Sequence, residues 1–249
     1  MNTPARTEPA EPAPVLTVVI PFFNEAANVA PLLTELRATL EALGLAAEVI
    51  AVNDGSVDPT GATLDAVART WPGLRVEHFG GNRGQAAALR HGFGRARGTW
   101  VAMLDGDGQN PPTELARLWE LRHTADMIAG ARIGRRDPAL RRVMSRLANA
   151  VRRVALRDGV SDTGCSLKLF RREVATSFIP VRTMYSFLPA FALAAGYSVR
   201  EISVTHRPRH AGVSKYGLGV MAILPLLDLL ALAWLLRRMV RLAPEKPPA

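Results

Sequence analysis

The chain has 249 residues, of which 48% are hydrophobic, so it can bury the core of one large α/β domain but is too short for two independent domains. Its single cysteine, Cys165, excludes an intramolecular disulfide. The formal net charge of +9 is carried almost entirely by arginine and favours phosphate groups, an anionic membrane surface or nucleic acid as partners. Residues 1–14 are rich in Pro, Ala and Glu without an apolar run, which predicts a disordered segment and no secretory signal.

Strands and helices are predicted to alternate from Val15, where the folded domain begins. Apolar, β-branched runs that stop at turn residues predict strands over residues 16–20, 49–52, 75–79 and 100–104. Leucine at helical spacing and capping residues predict helices over residues 29–43, 58–71 and 85–96. Pro31 is expected in the first turn of the first helix. The alternation predicts an α/β fold with a mostly parallel, Rossmann-like sheet and helices on both faces.

The second half of the domain, which extends to residue 216, is predicted to be less regular. Strands are predicted over residues 127–129, 167–170 and 200–204, the last as an edge strand. An arginine-dense helix is predicted over about 138–156, and another helix over 184–195.

An apolar segment follows the domain and is predicted to form an amphipathic, membrane-associated helix over residues 217–241, with a tail over 242–249. Its apolar run, residues 217–236, is about the ~20 residues that span a bilayer. However, Pro225 and Asp228 lie near its middle, where a carboxylate costs about 2.5–3.5 kcal/mol. The pattern therefore favours a helix that lies at the membrane interface, and burial against the domain is the alternative.

Polar side chains follow three of the predicted parallel strands. Asn24 and Glu25 follow the first strand, Asp54 the second, and Asp105 and Asp107 the fourth. Because ligands of open α/β sheets bind at the carboxyl ends of the strands, we expect these side chains to converge on one cleft. Asp54 is expected either to accept hydrogen bonds from a nucleobase or ribose, or to form an Asx turn or a helix cap.

The segment Asp105-Gly106-Asp107 carries the strongest chemical signal at this edge. Two carboxylates one residue apart can share a hard divalent cation that also holds phosphate oxygens, whereas a plain turn is the alternative. Gly106 permits a close approach of the backbone to a ligand, and Gln109 adds a polar group. The segment therefore predicts a metal and phosphate site.

Several segments resemble known glycosyltransferases. Val19–Glu25, Asn53–Ser56, Gly81–Gly84 and Leu104–Gln109 are similar to the family 2 inverting glycosyltransferases, which have the GT-A fold. Ser161–Phe170 and His206–Gly217 resemble the dolichyl- or undecaprenyl-phosphate sugar transferase branch, which is typified by dolichyl-phosphate mannosyltransferase. Gln85 departs from the pattern, because relatives often carry a basic residue there, and residues 130–138 lack the glycine run that many relatives show.

The resemblance implies a set of site residues. The metal, Mg²⁺ or Mn²⁺, would be held by Asp105, Asp107, Gln109 and Asp162. The nucleotide would bind to Pro21, Asn24, Glu25, Asp54, Gly84, Asp105 and Gly106. Because guanidinium groups match phosphate oxygens, a few of the nine arginines over residues 132–157 and those of the loop over residues 206–215 are candidate phosphate ligands. Besides Asp105 and Asp107, the residues expected to act on the reacting phosphates are Arg132, Arg142, Ser145, Arg207, Arg209 and Lys215.

The reaction that the resemblance implies is inverting transfer of a hexose from a nucleotide diphosphate sugar to a polyprenyl phosphate at the cytoplasmic face of a membrane. Mannose from GDP-mannose is slightly preferred over a sugar from a UDP donor. A phosphate monoester is already anionic near neutral pH, so the acceptor needs no general base. Transfer to a hydroxyl of a polysaccharide or glycolipid is the alternative and would need a base. A basic nucleic-acid-binding protein is disfavoured, because carboxylates in the cleft would repel a polyanion.

Overall fold

A seven-stranded sheet organises the part of the chain that the computed structural model describes, which is residues 13–133, 152, 156, 158–208 and 229–244. The strands are β1 (Leu16–Phe22), β2 (Ala47–Asn53), β3 (Leu74–His78), β4 (Trp100–Met103), β5 (Met127–Arg132), β6 (Lys168–Arg171) and β7 (Val199–Val204). Their spatial order is β3-β2-β1-β4-β6-β5-β7. Every neighbouring pair is parallel except the two that contain β6. The predicted mostly parallel sheet, with β7 at an edge, is confirmed.

Helices cover both faces of this sheet. They are α1 (Ala26–Ala42), α2 (Thr60–Ala68), α3 (Gln85–Arg95), α4 (Glu114–Glu120) and α5 (Leu188–Ala194), with short 3-10 turns at Arg122–Thr124, Arg172–Ser177 and Met184–Ser186. Side chains alternate between the two faces of a strand, so β1 contributes to two cores. Val18 and Ile20 pack with Leu33 of α1, whereas Val19 packs with Leu89 of α3 on the other side. Because β1, β2 and β4 run parallel, the polar residues that follow them lie at one edge of the sheet.

Two predicted boundaries near Pro21 and Pro31 were wrong. β1 continues through Pro21 to Phe22 because it pairs with β2 over its whole length, while its pairing with β4 ends at Val19. Pro21 therefore lies beyond the part of β1 that pairs with β4, and its missing N–H removes no bond from that ladder. The first helix begins at Ala26, so Pro31 lies inside α1 rather than in its first turn.

The helix predicted over residues 184–195 is divided in two. A 3-10 turn covers Met184–Ser186, and α5 starts at Leu188, with Pro189 in its first turn. Proline lacks an N–H group and fits the first turn of a helix but not its interior, so the helix begins here.

The C-terminal prediction falls partly outside the described residues, as do most of the predicted helix over 138–156 and residues 217–228. Residues 229–236 are helical, and Leu229 and Leu232 are buried against the domain. On the opposite side, Leu230 is 62% exposed and Trp234 is 60% exposed. None of the helices within the described ranges combines the length and the apolarity that crossing a bilayer requires.

Candidate active site

A pair of carboxylates follows β4 at the carboxyl edge of the sheet. Desolvation and the charge of Asp107 both disfavour the ionised form of Asp105, so the pKa of Asp105 is raised from 3.8 to about 6. Asp107 is itself buried, and its Oδ1 accepts a hydrogen bond of 3.1 Å from the backbone N–H of Gln109. Two neighbouring carboxylates that repel each other, Asp107 buried and Asp105 partly buried, fit a hard divalent cation, which would remove the repulsion. These two side chains are therefore where Mg²⁺ or Mn²⁺ would be held.

Asp162, the fourth residue of the implied metal set, is bound by an arginine. Arg132, at the end of β5, donates from Nε to Oδ2 of Asp162 at 2.7 Å and from Nη2 to Oδ1 at 2.8 Å. Among the described residues, no three His, Cys, Asp or Glu side chains lie together in a group that could hold a metal. The positive charge of Arg132 offsets part of the rise in the pKa of Asp105. The bidentate ion pair thus keeps a guanidinium group beside the carboxylate pair.

The loop before β6 supplies contacts that the sequence did not assign. The Ser166 hydroxyl is hydrogen-bonded to Asp105 and accepts a bond of 2.7 Å from Nδ2 of Asn110. Lys168 is fully buried, and its ammonium donates to the backbone carbonyls of Thr163 and Cys165, which fixes this loop. Burial lowers the pKa of Lys168. A lone lysine within an apolar strand was the signal that could have indicated this buried role.

The carboxylate of Asp54 is hydrogen-bonded to the loop that precedes α3. Its carboxylate accepts hydrogen bonds from the backbone N–H of Arg83 at 2.7 Å, from that of Gly84 at 2.9 Å and from Nδ2 of Asn82 at 3.0 Å. Gly84 has φ +91, a conformation that favours glycine. α3 begins at Gln85 and has no side-chain cap, so Asp54 holds the loop before this helix and does not cap it. Its contact with a nucleoside stays a prediction.

Gln85 connects this loop to the carboxylate pair. Its Nε2 donates to Oδ1 of Asp105 at 2.6 Å. In the sequence this residue stood out only as a departure from the family pattern. Its partner follows a different strand, 20 residues further along the chain, so no local pattern indicated the contact.

Asn24 and Glu25 tie the loops after β1 and β2 together. Asn24 has φ 54, its N–H donates to Oγ of Ser56 at 3.0 Å, and its Oδ1 accepts from the N–H of Val57 at 2.9 Å. The N–H of Glu25 donates to Oγ1 of Thr60 at 2.8 Å. These bonds hold both loops at the same edge of the sheet, as the sequence predicted, while a nucleotide contact of Asn24 or Glu25 remains a prediction.

Gly106 brings the loop after β4 across the end of β1. A Cβ atom at this position would lie 2.5 Å from Cδ1 of Phe22 and 2.8 Å from the carbonyl oxygen of Pro21. Only glycine permits this approach. The strand-end loops that contain Pro21, Gly106 and the carboxylate pair therefore meet at one place.

The backbone of Arg207 contacts this edge of the sheet, whereas its guanidinium group forms an ion pair elsewhere. Its N–H donates to the carbonyl of Gln109 at 2.8 Å, whereas its guanidinium donates to both carboxylate oxygens of Glu35 on α1, at 2.8 and 2.9 Å. The other candidate phosphate ligands lie outside the described residues, namely Arg142, Ser145, Arg209 and Lys215.

Comparisons with known proteins identify a family that the chain matches. The family model described as Glycosyl transferase family 2 matches residues 17–178. Over 207 residues the chain is 37% identical to the undecaprenyl-phosphate 4-deoxy-4-formamido-L-arabinose transferase of Pseudomonas paraeruginosa, covering 82% of this chain and 61% of that protein. Over 234 residues it is 36% identical to the dodecaprenyl-phosphate galacturonate synthase of Rhizobium johnstonii, covering 91% of this chain and 68% of that protein. The chain thus spans about three fifths to two thirds of these relatives' lengths.

A solved structure shares the fold. The mannosyltransferase PcManGT from Pyrobaculum calidifontis, determined in complex with GDP-Man and Mn²⁺, superposes with a TM-score of 0.67 over 96% of this chain and 67% of that chain. The sequence identity is 21%, so the likeness concerns the fold, and the predicted GT-A fold is confirmed.

Proposed function

This chain belongs to glycosyl transferase family 2, and we propose that it transfers a sugar from a nucleotide diphosphate sugar to the phosphate of a polyprenyl phosphate. The observation that carries the proposal is the carboxylate pair Asp105 and Asp107 with the guanidinium of Arg132 held beside it by Asp162. The acceptor class is supported by two relatives whose names specify undecaprenyl phosphate and dodecaprenyl phosphate.

Each side chain at the site has a distinct task in this proposal. Bound Mg²⁺ or Mn²⁺ would neutralise charge on the diphosphate oxygens of the donor. Asp105 and Asp107 would hold that ion, and Ser166 orients Asp105. Arg132 would bind phosphate oxygens, because a guanidinium that is already fixed loses little entropy on binding them.

The acceptor phosphate needs orientation but no deprotonation. One of its oxygens forms a bond to the anomeric carbon of the sugar, and the bond from that carbon to the nucleoside diphosphate breaks with inversion. The acceptor is anionic near neutral pH, so the site requires no general base. In our proposal, cationic side chains from residues 132–157 and from the loop over residues 206–215 orient it. This set includes Arg207, whose side chain is 40% exposed beside Glu35.

The two sequence relatives change the order in which donors should be tested. The preference for mannose from GDP-mannose rests on the family resemblance, and the structure that contains GDP-Man is 21% identical. The relatives at 37% and 36% identity are named for 4-deoxy-4-formamido-L-arabinose and for galacturonate. We therefore place nucleotide-activated forms of these two sugars ahead of GDP-mannose and UDP-glucose.

A donor screen tests the proposed function. Purified protein is incubated with each nucleotide sugar, Mn²⁺ and undecaprenyl phosphate, and the organic phase is examined by mass spectrometry. We expect one donor to give a glycosyl phosphoryl polyprenol. Undecaprenol without its phosphate is the matched control and should give no product. If no donor yields a lipid-linked sugar, the proposal is wrong, and transfer to a hydroxyl acceptor without any lipid phosphate would support the alternative reaction.

We also propose that the chain works as a peripheral protein at the cytoplasmic surface of a membrane. A lipid-borne acceptor requires the site to reach the bilayer. Leu230 and Trp234 are exposed on the helical segment 229–236, and Arg237 and Arg238 follow directly. This mixture of apolar and cationic side chains suits anionic lipid headgroups. The chain should sediment with vesicles that contain phosphatidylglycerol, and equal binding to phosphatidylcholine alone would contradict the electrostatic part.

A further inference from the structure

We propose that Gln85 is a positioning residue that sets the orientation of the Asp105 carboxylate toward the metal ion, and that Asp54 sets the position of Gln85. This inference rests on the proposed function, because it concerns the same carboxylate pair. Neither residue needs to touch the metal or the sugar. Each acts through the next residue in the order Asp54, Gln85, Asp105.

The contact between Gln85 and Asp105 restrains the carboxylate from a second side, in addition to the hydrogen bond with Ser166. The bond from Nε2 of Gln85 to Oδ1 of Asp105 is 2.6 Å long. It occupies one oxygen and limits rotation of the carboxylate, so the remaining lone pairs keep a fixed direction. Groups that hold a metal ligand in this way commonly change metal affinity by about 10- to 100-fold when they are removed.

The uncharged side chain of Gln85 matters for a cation site. Glutamine donates a hydrogen bond without adding a positive charge, so the negative charge of the Asp105 and Asp107 pair stays available to a divalent ion. A basic side chain at position 85, the type expected from the family pattern, would form an ion pair with Asp105 and compete with that ion. The departure from the pattern thus has a physical role at this site.

Asp54 fixes the position of the backbone immediately before Gln85. Its carboxylate accepts from the backbone N–H groups of Arg83 and Gly84, the two residues immediately before Gln85. Gln85 is the first residue of α3, so these bonds fix the position from which its side chain extends. Asp54 is 3% exposed and has no hydrogen bond to Asp105 among the contacts of the described residues. Its influence on Asp105 is therefore expected to pass through Gln85.

Mn²⁺ affinity measures the first step. Binding is followed by the electron paramagnetic resonance signal of free Mn²⁺, alone and with UDP or GDP. Gln85→Leu removes the donor, and Gln85→Asn shortens the side chain so that it no longer reaches Oδ1. Both should weaken Mn²⁺ binding about tenfold. Arg83→Ala is the matched control, because its exposed side chain stacks over Phe79 and lies in the same loop. It should keep Mn²⁺ affinity within about twofold.

A double-mutant cycle tests the second step. Asp54→Asn weakens the clamp on the loop and should reduce Mn²⁺ affinity in the wild-type background. In the Gln85→Leu background it should have no further effect, because the route to Asp105 is already removed. Additive effects of the two substitutions would overturn the role of Asp54.

The outcomes separate this inference from the proposed function. If Gln85→Leu binds Mn²⁺ as tightly as the wild type, Gln85 does not position Asp105. If the wild-type chain binds no Mn²⁺ with either nucleotide, the cation site itself is wrong and the role of Gln85 is refuted with it. If Mn²⁺ binding responds as expected but the donor screen yields no lipid-linked product, Gln85 keeps its role and the acceptor assignment fails.

Discussion

Asp54 offers the clearest distinction between a structural and a ligand-binding carboxylate. Asp54→Ala removes the acceptor for three hydrogen bonds, two from backbone N–H groups and one from Asn82. Hydrogen bonds to a charged group each stabilise a protein by about 1.5–3 kcal/mol, but bonds that share one acceptor are not additive. Asn82 and Arg83 are exposed, so water can replace part of what is lost. We expect the free energy of unfolding to fall by about 3 kcal/mol.

This loss is large enough to measure without a ligand. For a chain of this size, about 3 kcal/mol corresponds to a decrease in melting temperature of about 6–12 °C. The assay is thermal unfolding of the metal-free protein, followed by circular dichroism. Asp65→Ala is a matched control, since among the described residues the Asp65 carboxylate is hydrogen-bonded only to His78 and its side chain is 51% exposed. It should cost less than about 1 kcal/mol.

An unchanged melting temperature would refute the stabilising role of the Asp54 carboxylate in the loop before α3. If Asp54→Ala melts within about 2 °C of the wild type and loses nucleotide binding, the carboxylate is a ligand and its bonds to the loop contribute little. If it melts lower and still binds nucleotide at low temperature, the role of Asp54 in holding the loop is correct and the nucleoside contact is wrong.

Four further predictions concern the carboxylate pair and its loop. Asp107→Asn should abolish Mn²⁺-dependent transfer without lowering the metal-free melting temperature, because it removes one of two repelling charges, and full activity would exclude Asp107 as a metal ligand. Mn²⁺ affinity should fall as pH drops through about 6, since Asp105 must lose its proton to bind, and a flat profile would contradict its raised pKa. In the metal-free protein the same shift should reduce stability as pH rises from about 4 to about 6, relative to Asp105→Asn, because the folded state retains a proton that the unfolded state, with pKa 3.8, has lost. Gly106→Ala should cost about 1–3 kcal/mol in urea unfolding, because its Cβ would lie 2.5 Å from the Phe22 ring, whereas Gly80→Ala, with nothing within 4 Å, should be nearly neutral.

The sheet was predictable because its signals are local. Apolar runs and turn residues located β1 to β4 to within about two residues, and the alternation with helices implied parallel strands. The predicted end of β1 was wrong because of another strand. A proline can continue β1 at position 21 only because the pairing with β4 has already ended at Val19. The break before α5 was local, and the position of Pro189 could have indicated it.

The site was predictable in its location and less so in its contacts. Strand ends placed Asp54, Asp105 and Asp107 at one edge, because the carboxyl ends of parallel strands converge. Which side chains then meet depends on distances between loops that are far apart in sequence. Asp162 was assigned only to a metal from its sequence, and its carboxylate forms an ion pair with Arg132, 30 residues away in sequence. Gln85 had no assigned partner at all. Residue types indicate which chemistry is available, whereas pairing follows from the packed loops.

The position of β6 between β4 and β5 has a consequence for biosynthesis. β6 lies between β4 and β5 in the sheet, yet it is synthesised after both. A nascent chain that has not yet released residue 171 from the ribosome would leave facing edges of β4 and β5 with unpaired backbone groups, which favours aggregation. It would also lack Ser166 beside Asp105, so we expect truncated chains to bind a divalent ion more weakly and to depend on chaperones until this short strand is inserted.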